Sequence, residues 1–222
     1  MHGARAHAWS IAEREYARHE QRRGRRHAYA HLDPARSALV VVDMVPFFDG
    51  PCFRGIIPQI RSLAAALRAS GGLVAWVVPG AGPRGAAHEE FYGREVAELY
   101  RASGGSGEPA DRLWPQLGVD TDRDVVVEKT ASSAFFPGSC PLPEVLAASG
   151  VDTVLVCGVV TDVCVAGSAR DASTLGLRVI VVADGAAADS DEVHNAALRT
   201  LYRSFADVRP TADVLDLIRA GR

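Results

Sequence analysis

From residue 38 onward the chain alternates short β-branched runs with stretches of helical periodicity, and no other feature limits its fold so strongly. The runs at 38–42, 73–78, 124–128, 153–157 and 178–182 are apolar almost throughout. That is the pattern of strands covered on both faces rather than one. Between them, Ile56, Ile60, Leu63 and Leu67 recur at helical spacing and are followed by Gly71-Gly72; further helices are expected at 143–149, 164–175 and 191–205. A short strand near Val208 and a helix from Thr211 close the chain. This order predicts an α/β fold: a single doubly wound domain, with a mostly parallel sheet of five or six strands, right-handed crossovers and helices on both faces. A length of 222 residues suits one such domain and is short of two.

The domain is expected to span residues 37–222, preceded by an N-terminal helical extension over residues 1–36. In the extension Trp9, Ala12 and Tyr16 share a helical face, and Arg14, Arg18, Arg22, Arg23, Arg25 and Arg26 supply a cationic surface. Because it has no evident place in the sheet, it is expected to pack on a neighbouring subunit of a homodimer or homotetramer. The net charge of −3 gives no global attraction to nucleic acid or to an anionic membrane, and no apolar run approaches the length of a membrane span. The polar, arginine-rich start has no apolar signal core, and Glu13, Glu15 and Glu20 interrupt its basic stretch, so a cytoplasmic location is expected. Cys52, Cys140, Cys157 and Cys164 form no C-x-x-C pair and no zinc-type spacing, and are read as free thiols.

Open parallel sheets bind ligands beyond the carboxyl ends of their strands. After the first run comes Asp43, after the third Lys129, and after the fourth a turn that leads through Cys164 into a helix. One acid, one cation and one thiol thus project toward the same edge. A thiol near a helix start is favoured as thiolate by the macrodipole. A carboxylate can take its proton, an ammonium can stabilise the ion pair, and backbone N–H groups can hold an oxyanion. Any one of the three taken alone is as well read as a cap, a surface cation or a packed cysteine; their convergence is what carries the inference. Lys129 is also the sole lysine of a chain that otherwise uses arginine as its cation.

The segments V-V-V-D-M (40–44), K-T-A-S-S-A-F (129–135) and C-G-V-V-T-D-V-C-V (157–165) resemble the isochorismatase-like cysteine hydrolases. That superfamily includes nicotinamidases, N-carbamoylsarcosine amidases, ureidoacrylate amidohydrolases and isochorismatases. The resemblance runs from about residue 38 to 208 and takes in S-A-R-D-A (168–172) and H-N-A-A-L (194–198). It implies a catalytic triad of Asp43, Lys129 and Cys164. It also implies a cis peptide between Val159 and Val160, which turns the Val160 N–H toward that of Cys164 to form an oxyanion hole.

This chain departs from the family pattern in specific places. Val45-Pro46 stands where relatives often carry Gln after Asp-Met, which alters the pocket lining beside Phe47 and Phe48. Nicotinamidases carry D-x-H and further histidines after the second strand, whereas residues 79–91 supply only His88, so neither a metal nor any other cofactor is expected. Some isochorismate hydrolases lack the cysteine; keeping Cys164 points to C–N cleavage. The G-A-G-P-R-G at 80–85 matches a dinucleotide fingerprint only formally, since Pro83 interrupts it and no acid follows at the right distance. It is read as a loop over the pocket. Phe48 and Phe136, which flank the triad in sequence, are the expected substrate contacts.

The expected activity is hydrolysis of a small amide, ureide or lactam through an acyl-thioester. Vinyl-ether hydrolysis of an isochorismate-type substrate is the alternative within enzymes, and a catalytically silent binding or scaffold protein is the alternative outside them. A guanidinium is a wide planar fork, whereas an ammonium is a compact point charge able to sit between a carboxylate and a thiol. Lys129→Arg is therefore expected to lower kcat/KM by on the order of a hundredfold although it conserves charge. Steady-state kinetics of the purified variant check this, and near wild-type turnover would remove Lys129 from the site.

Overall fold

The apolar runs become strands whose alternate side chains enter two different cores. In the computed structural model, which describes residues 3–82 and 85–221, β1 (Ser37–Val42) is buried along its whole length. Ala38, Val40 and Val42 point to one face; Leu39 and Val41 point to the other. The remaining strands are β2 (Leu73–Pro79), β3 (Val125–Lys129), β4 (Thr153–Val159), β5 (Arg178–Ala187) and β6 (Asp207–Arg209). Among the described residues they form one six-stranded sheet in the order β3-β2-β1-β4-β5-β6, parallel at every pairing.

The chain thus starts in the middle of the sheet, builds two strands to one side, and returns to build three on the other. The reversal falls between β1 and β4, the place beyond whose carboxyl ends open parallel sheets bind their ligands. On one face lie α3 (Ile57–Ala69) and α9 (Thr211–Ala220), which bury Ile60, Leu63, Leu67, Val214 and Ile218 against Leu39, Trp76 and Leu155. On the other lie α6 (Leu142–Ala148), α7 (Ala166–Thr174) and α8 (Asp191–Ser204), through Leu146, Ala169, Ala172, Leu198 and Leu201. None of the helices described is long and apolar enough to cross a membrane.

The structure differs from the sequence reading at three places, each with a physical cause. The N-terminal segment packs on its own chain. Ile11 joins the core on the α8 side, Tyr16 meets Tyr202 edge-on at 5.2 Å, and buried Glu15 accepts a hydrogen bond from Arg199 on α8 at 3.1 Å. Residues of and beside α1 (Glu13–Arg23) thus find partners within the same chain. Secondly, α2 (Pro51–Gly55) precedes α3, and α4 (Ala86–Tyr92) and α5 (Arg94–Arg101) fill a stretch for which periodicity predicts no element. Their large apolar residues Phe91, Val96 and Leu99 are exposed, so no buried stripe signals them. Pro83 and Arg84, within the glycine-rich 80–85 loop, lie outside the described residues. Thirdly, the helix expected from residue 164 begins as a π turn over Thr161–Val165 and becomes α-helical only at Ala166.

Gly158 links fold to site. It has φ +107° and lies beside Val42 in the sheet, where an added Cβ would stand 2.1 Å from the Val42 carbonyl oxygen. Only glycine lets β4 pass so close to β1 and turn toward Cys164. Gly158→Ala is expected to destabilise the protein by more than about 3 kcal/mol, because both the backbone conformation and the close contact must give way. Urea denaturation followed by circular dichroism measures this.

Candidate active site

Asp43 follows β1 directly and has φ +55°, the left-handed region that a short polar side chain tolerates best. Its N–H donates to the Val77 carbonyl at 2.8 Å, and its carbonyl accepts from Val45 N–H at 2.8 Å, so the turn is held on both sides. Lys129 is the last residue of β3 rather than the first after it, and its side chain reaches over the end of β2. Cys164 is the fourth residue of the π turn that follows β4. The Val159–Val160 peptide bond at the entry to that turn is cis.

These three side chains meet. Lys129 Nζ lies 2.9 Å from Asp43 Oδ2, 3.6 Å from Cys164 Sγ and 3.1 Å from the Ala131 carbonyl oxygen, one acceptor for each of its three N–H groups. Asp43 is 1% exposed, Lys129 4% and Cys164 9%, so their charges act on one another with little screening by water. The Asp43 carboxylate faces both the Lys129 ammonium and the Cys164 thiol.

The electrostatics correct one expectation. Burial, and then the neighbouring Asp43 carboxylate, push the Cys164 thiol up to about 12, so the macrodipole does not prevail and the resting group is a thiol. The dipole argument assumed an α-helix start, whereas the sulfur sits inside a π turn against an anion. Burial pushes the Asp43 carboxyl up as well, against the pull of Lys129, which makes it a stronger base than a solvated aspartate. Burial would lower Lys129, but Asp43 and Cys164 hold it above its ordinary value, so the ammonium stays charged.

The loop after β3 is pinned from α7: the Ala134 N–H donates to Ser168 Oγ at 3.0 Å, and the Phe135 N–H to Ser133 Oγ at 3.0 Å. Phe135 is buried, whereas Phe136 is 56% exposed. Phe48 is half-buried and packs edge-to-face on Phe47 at 4.9 Å, and Phe47 in turn approaches Tyr100 of α5 at 6.2 Å. Tyr100 escaped the sequence reading because α5 did. So did a pair of histidines behind the turn: Thr161 Oγ1 lies 2.8 Å from His194 Nδ1, and His194 stacks on His7. No spacing rule connects residues 7, 161 and 194. A cavity of about 380 Å³ beyond β2 and β3, lined by Pro79, Arg101, Gly104, Arg112 and Glu128 among others, contains none of the three central residues. Among the described residues no three His, Cys, Asp or Glu side chains are placed to hold a metal ion together. All four cysteines are free.

The isochorismatase domain family matches residues 37–213, and the chain belongs to that family. It is 30% identical over 196 residues to the isochorismatase family protein YwoC of Bacillus subtilis (strain 168), covering 85% of this chain and 97% of that one. It is 28% identical over 214 residues to the ureidoacrylate amidohydrolase RutB of Enterobacter sp. (strain 638), covering 83% and 90%. Among solved structures, a cysteine hydrolase from Pseudomonas syringae pv. phaseolicola 1448A superposes with a TM-score of 0.76 at 27% identity, covering 88% of this chain and 98% of that one.

Replacing Asp43 removes the negative charge that helps hold the thiol up. Asp43→Asn is expected to move the pH midpoint of iodoacetamide reaction at Cys164 down by a unit or more, since Lys129 then faces the thiolate unopposed. In the wild-type protein the rate should still be rising at about pH 10, well past an ordinary thiol. Alkylation rates against pH, read by mass spectrometry of the Cys164 peptide, check both statements.

Proposed function

We propose that this isochorismatase-family hydrolase cleaves a C–N bond of a small amide, ureide or lactam, with Cys164 as nucleophile. The reading rests on one observation above others: a buried thiol, carboxylate and ammonium in mutual contact at the switch point of the sheet. Because the thiol rests protonated, the reaction needs a base beside it, and the raised Asp43 carboxylate, which faces the thiol, is that base.

Asp43 takes the Cys164 proton as the sulfur attacks the substrate carbonyl, and Lys129 stabilises the anionic sulfur. The oxyanion of the tetrahedral intermediate rests on the backbone N–H groups of Val160 and Cys164. Asp43 returns the proton to the leaving nitrogen as the C–N bond breaks, which leaves an acyl-thioester on Cys164 and releases the amine. Asp43 then takes a proton from water, hydroxide adds to the thioester, and the carboxylic acid departs as the thiol is restored. Phe48 and Phe136 are the proposed substrate contacts. The reaction as written calls on no metal or organic cofactor. The likeness to a ureidoacrylate amidohydrolase and to a cysteine hydrolase supports this class of chemistry.

A screen of small amides, ureides and lactams, with Cys164→Ala as the blank, tests the proposal. Release of ammonia or amine supports it; pyruvate from an isochorismate-type vinyl ether would replace it, with Asp43 as acid. Cys164→Ser is expected to lose on the order of a thousandfold or more in kcat while keeping its fold, because a hydroxyl lacks the acidity that a carboxylate base requires. Substantial turnover by the serine variant would show that thiol chemistry is not the mechanism.

A further inference from the structure

The turn that carries Cys164 is braced from behind by a segment distant in sequence. Thr161, fully buried, opens the turn, and its hydroxyl lies 2.8 Å from Nδ1 of His194 on α8. His194 is itself fully buried, and its ring stacks on that of His7 with centroids 4.4 Å apart and planes 14° from parallel. His7 is held on both edges. Nε2 lies 3.0 Å from the Ala188 carbonyl oxygen and 3.1 Å from the Ala188 N–H, and Nδ1 lies 2.5 Å from Asp191 Oδ1.

The backbone around His7 is fixed with equal care. The Asn195 side chain donates to the Ala8 carbonyl at 3.0 Å and accepts from the Ser10 N–H at 2.7 Å. On the far side, the Arg5 N–H donates to the Pro51 carbonyl at 3.0 Å. Its carbonyl passes so close to Gly55 that an added Cβ there would stand 1.9 Å from the oxygen. An arm that only covered apolar surface would not need a buried imidazole gripped at both nitrogens and stacked on a residue whose ring bonds to the turn that carries Cys164.

We propose that this N-terminal arm is a positioning element of the active site: His7, by stacking on His194, fixes the Thr161 hydroxyl and so the turn that holds Cys164. The inference rests on Cys164 being the nucleophile for its consequence in turnover, but not for its structural content. Burial, and then the neighbouring His7, drive the His194 pKa down to about 4, so His194 is neutral at ordinary pH and its bond to Thr161 does not depend on its titration.

Thiol accessibility reads the bracing directly. Loosening the turn lets water reach Cys164 Sγ, so the thiol moves back toward an ordinary value and reacts faster near neutral pH. Thr161→Val keeps shape and removes the hydroxyl; Thr161→Ser keeps the hydroxyl; His7→Ala removes the stacked ring. At pH 8 the second-order rate of iodoacetamide reaction at Cys164 is expected to rise threefold or more in Thr161→Val and in His7→Ala. The midpoint of each pH profile should shift downward, and Thr161→Ser should stay near wild type. Cys157, fully buried in β4, serves as the internal reporter of unfolding and should remain unmodified. A change of less than threefold at Cys164 in either variant overturns the proposal. So does an equal acceleration at Cys157, which would mean that the arm only stabilises the fold, and so does a serine variant that behaves like valine. Failure of the hydrolase reading shows separately, as turnover by Cys164→Ala, and leaves the alkylation result standing.

Discussion

A single buried ammonium ties together three parts of this structure. Lys129 reaches from β3 across β2 to touch the Asp43 carboxylate, the Cys164 sulfur and the Ala131 carbonyl at once. Burying a charge is tolerated only with a partner, and removing one member of such a pair typically costs about 3–5 kcal/mol. The Asp43–Lys129 pair therefore couples folding to function: neither charge is at ease without the other, and the thiol lies where both act on it. This also accounts for a lysine in a chain that otherwise uses arginine. Three acceptors around one nitrogen suit a tetrahedral ammonium, whereas a guanidinium spreads its donors in a plane.

The sheet order makes that meeting possible. With β1 and β4 adjacent at the switch point, the residues after them come together, although about 120 residues separate Asp43 from Cys164. Gly158 then allows β4 to run against β1 until the last moment before the chain turns into the loop that carries Cys164. The uninterrupted burial of β1 and β4 serves the same end, since side chains projecting from a rigid central strand are placed more reproducibly than those on a mobile loop.

What could be read from the chain alone follows from which interactions are local. The strands were legible because burial on both faces writes a continuous apolar run, and the observed limits of β1, β2 and β3 fall within a residue of those runs. Asp43, Lys129 and Cys164 were legible as a set because each ends or follows such a run. The helices α4 and α5 were not, because their apolar residues face solvent and leave no periodic core stripe. Nor was the destination of the N-terminal segment. Its helical spacing was evident, but only the fold shows that Ile11 and Tyr16 have α8 of the same chain to pack on. The state of the thiol was misjudged for a related reason. Residue order places Cys164 near a helix start, but the burial and the anionic neighbour that raise its pKa are tertiary facts.

A thiol held as a thiol has a consequence for how the site is built. In a cysteine enzyme with a preformed thiolate, the base has done its work before substrate arrives, and the surroundings need only stabilise an anion. In the proposed mechanism the proton moves during the attack, so the distances among Sγ, the Asp43 carboxylate and the incoming carbonyl would govern the barrier itself. An error of about 1 Å in such a constellation costs on the order of a hundredfold in rate. That demand falls on the turn at Thr161–Val165, because it alone sets the sulfur's position while Asp43 and Lys129 are fixed by strands. A π turn has looser internal hydrogen bonding than an α-helix and gains precision from outside. The stacked His194 and His7 behind it, clamped by Asp191, Ala188 and Asn195, lie where that outside support is required. If the proposed mechanism holds, the segment before β1 belongs to the working core of the protein, and a chain beginning at residue 37 would retain Asp43, Lys129 and Cys164 but not the rigidity that proton transfer among them demands.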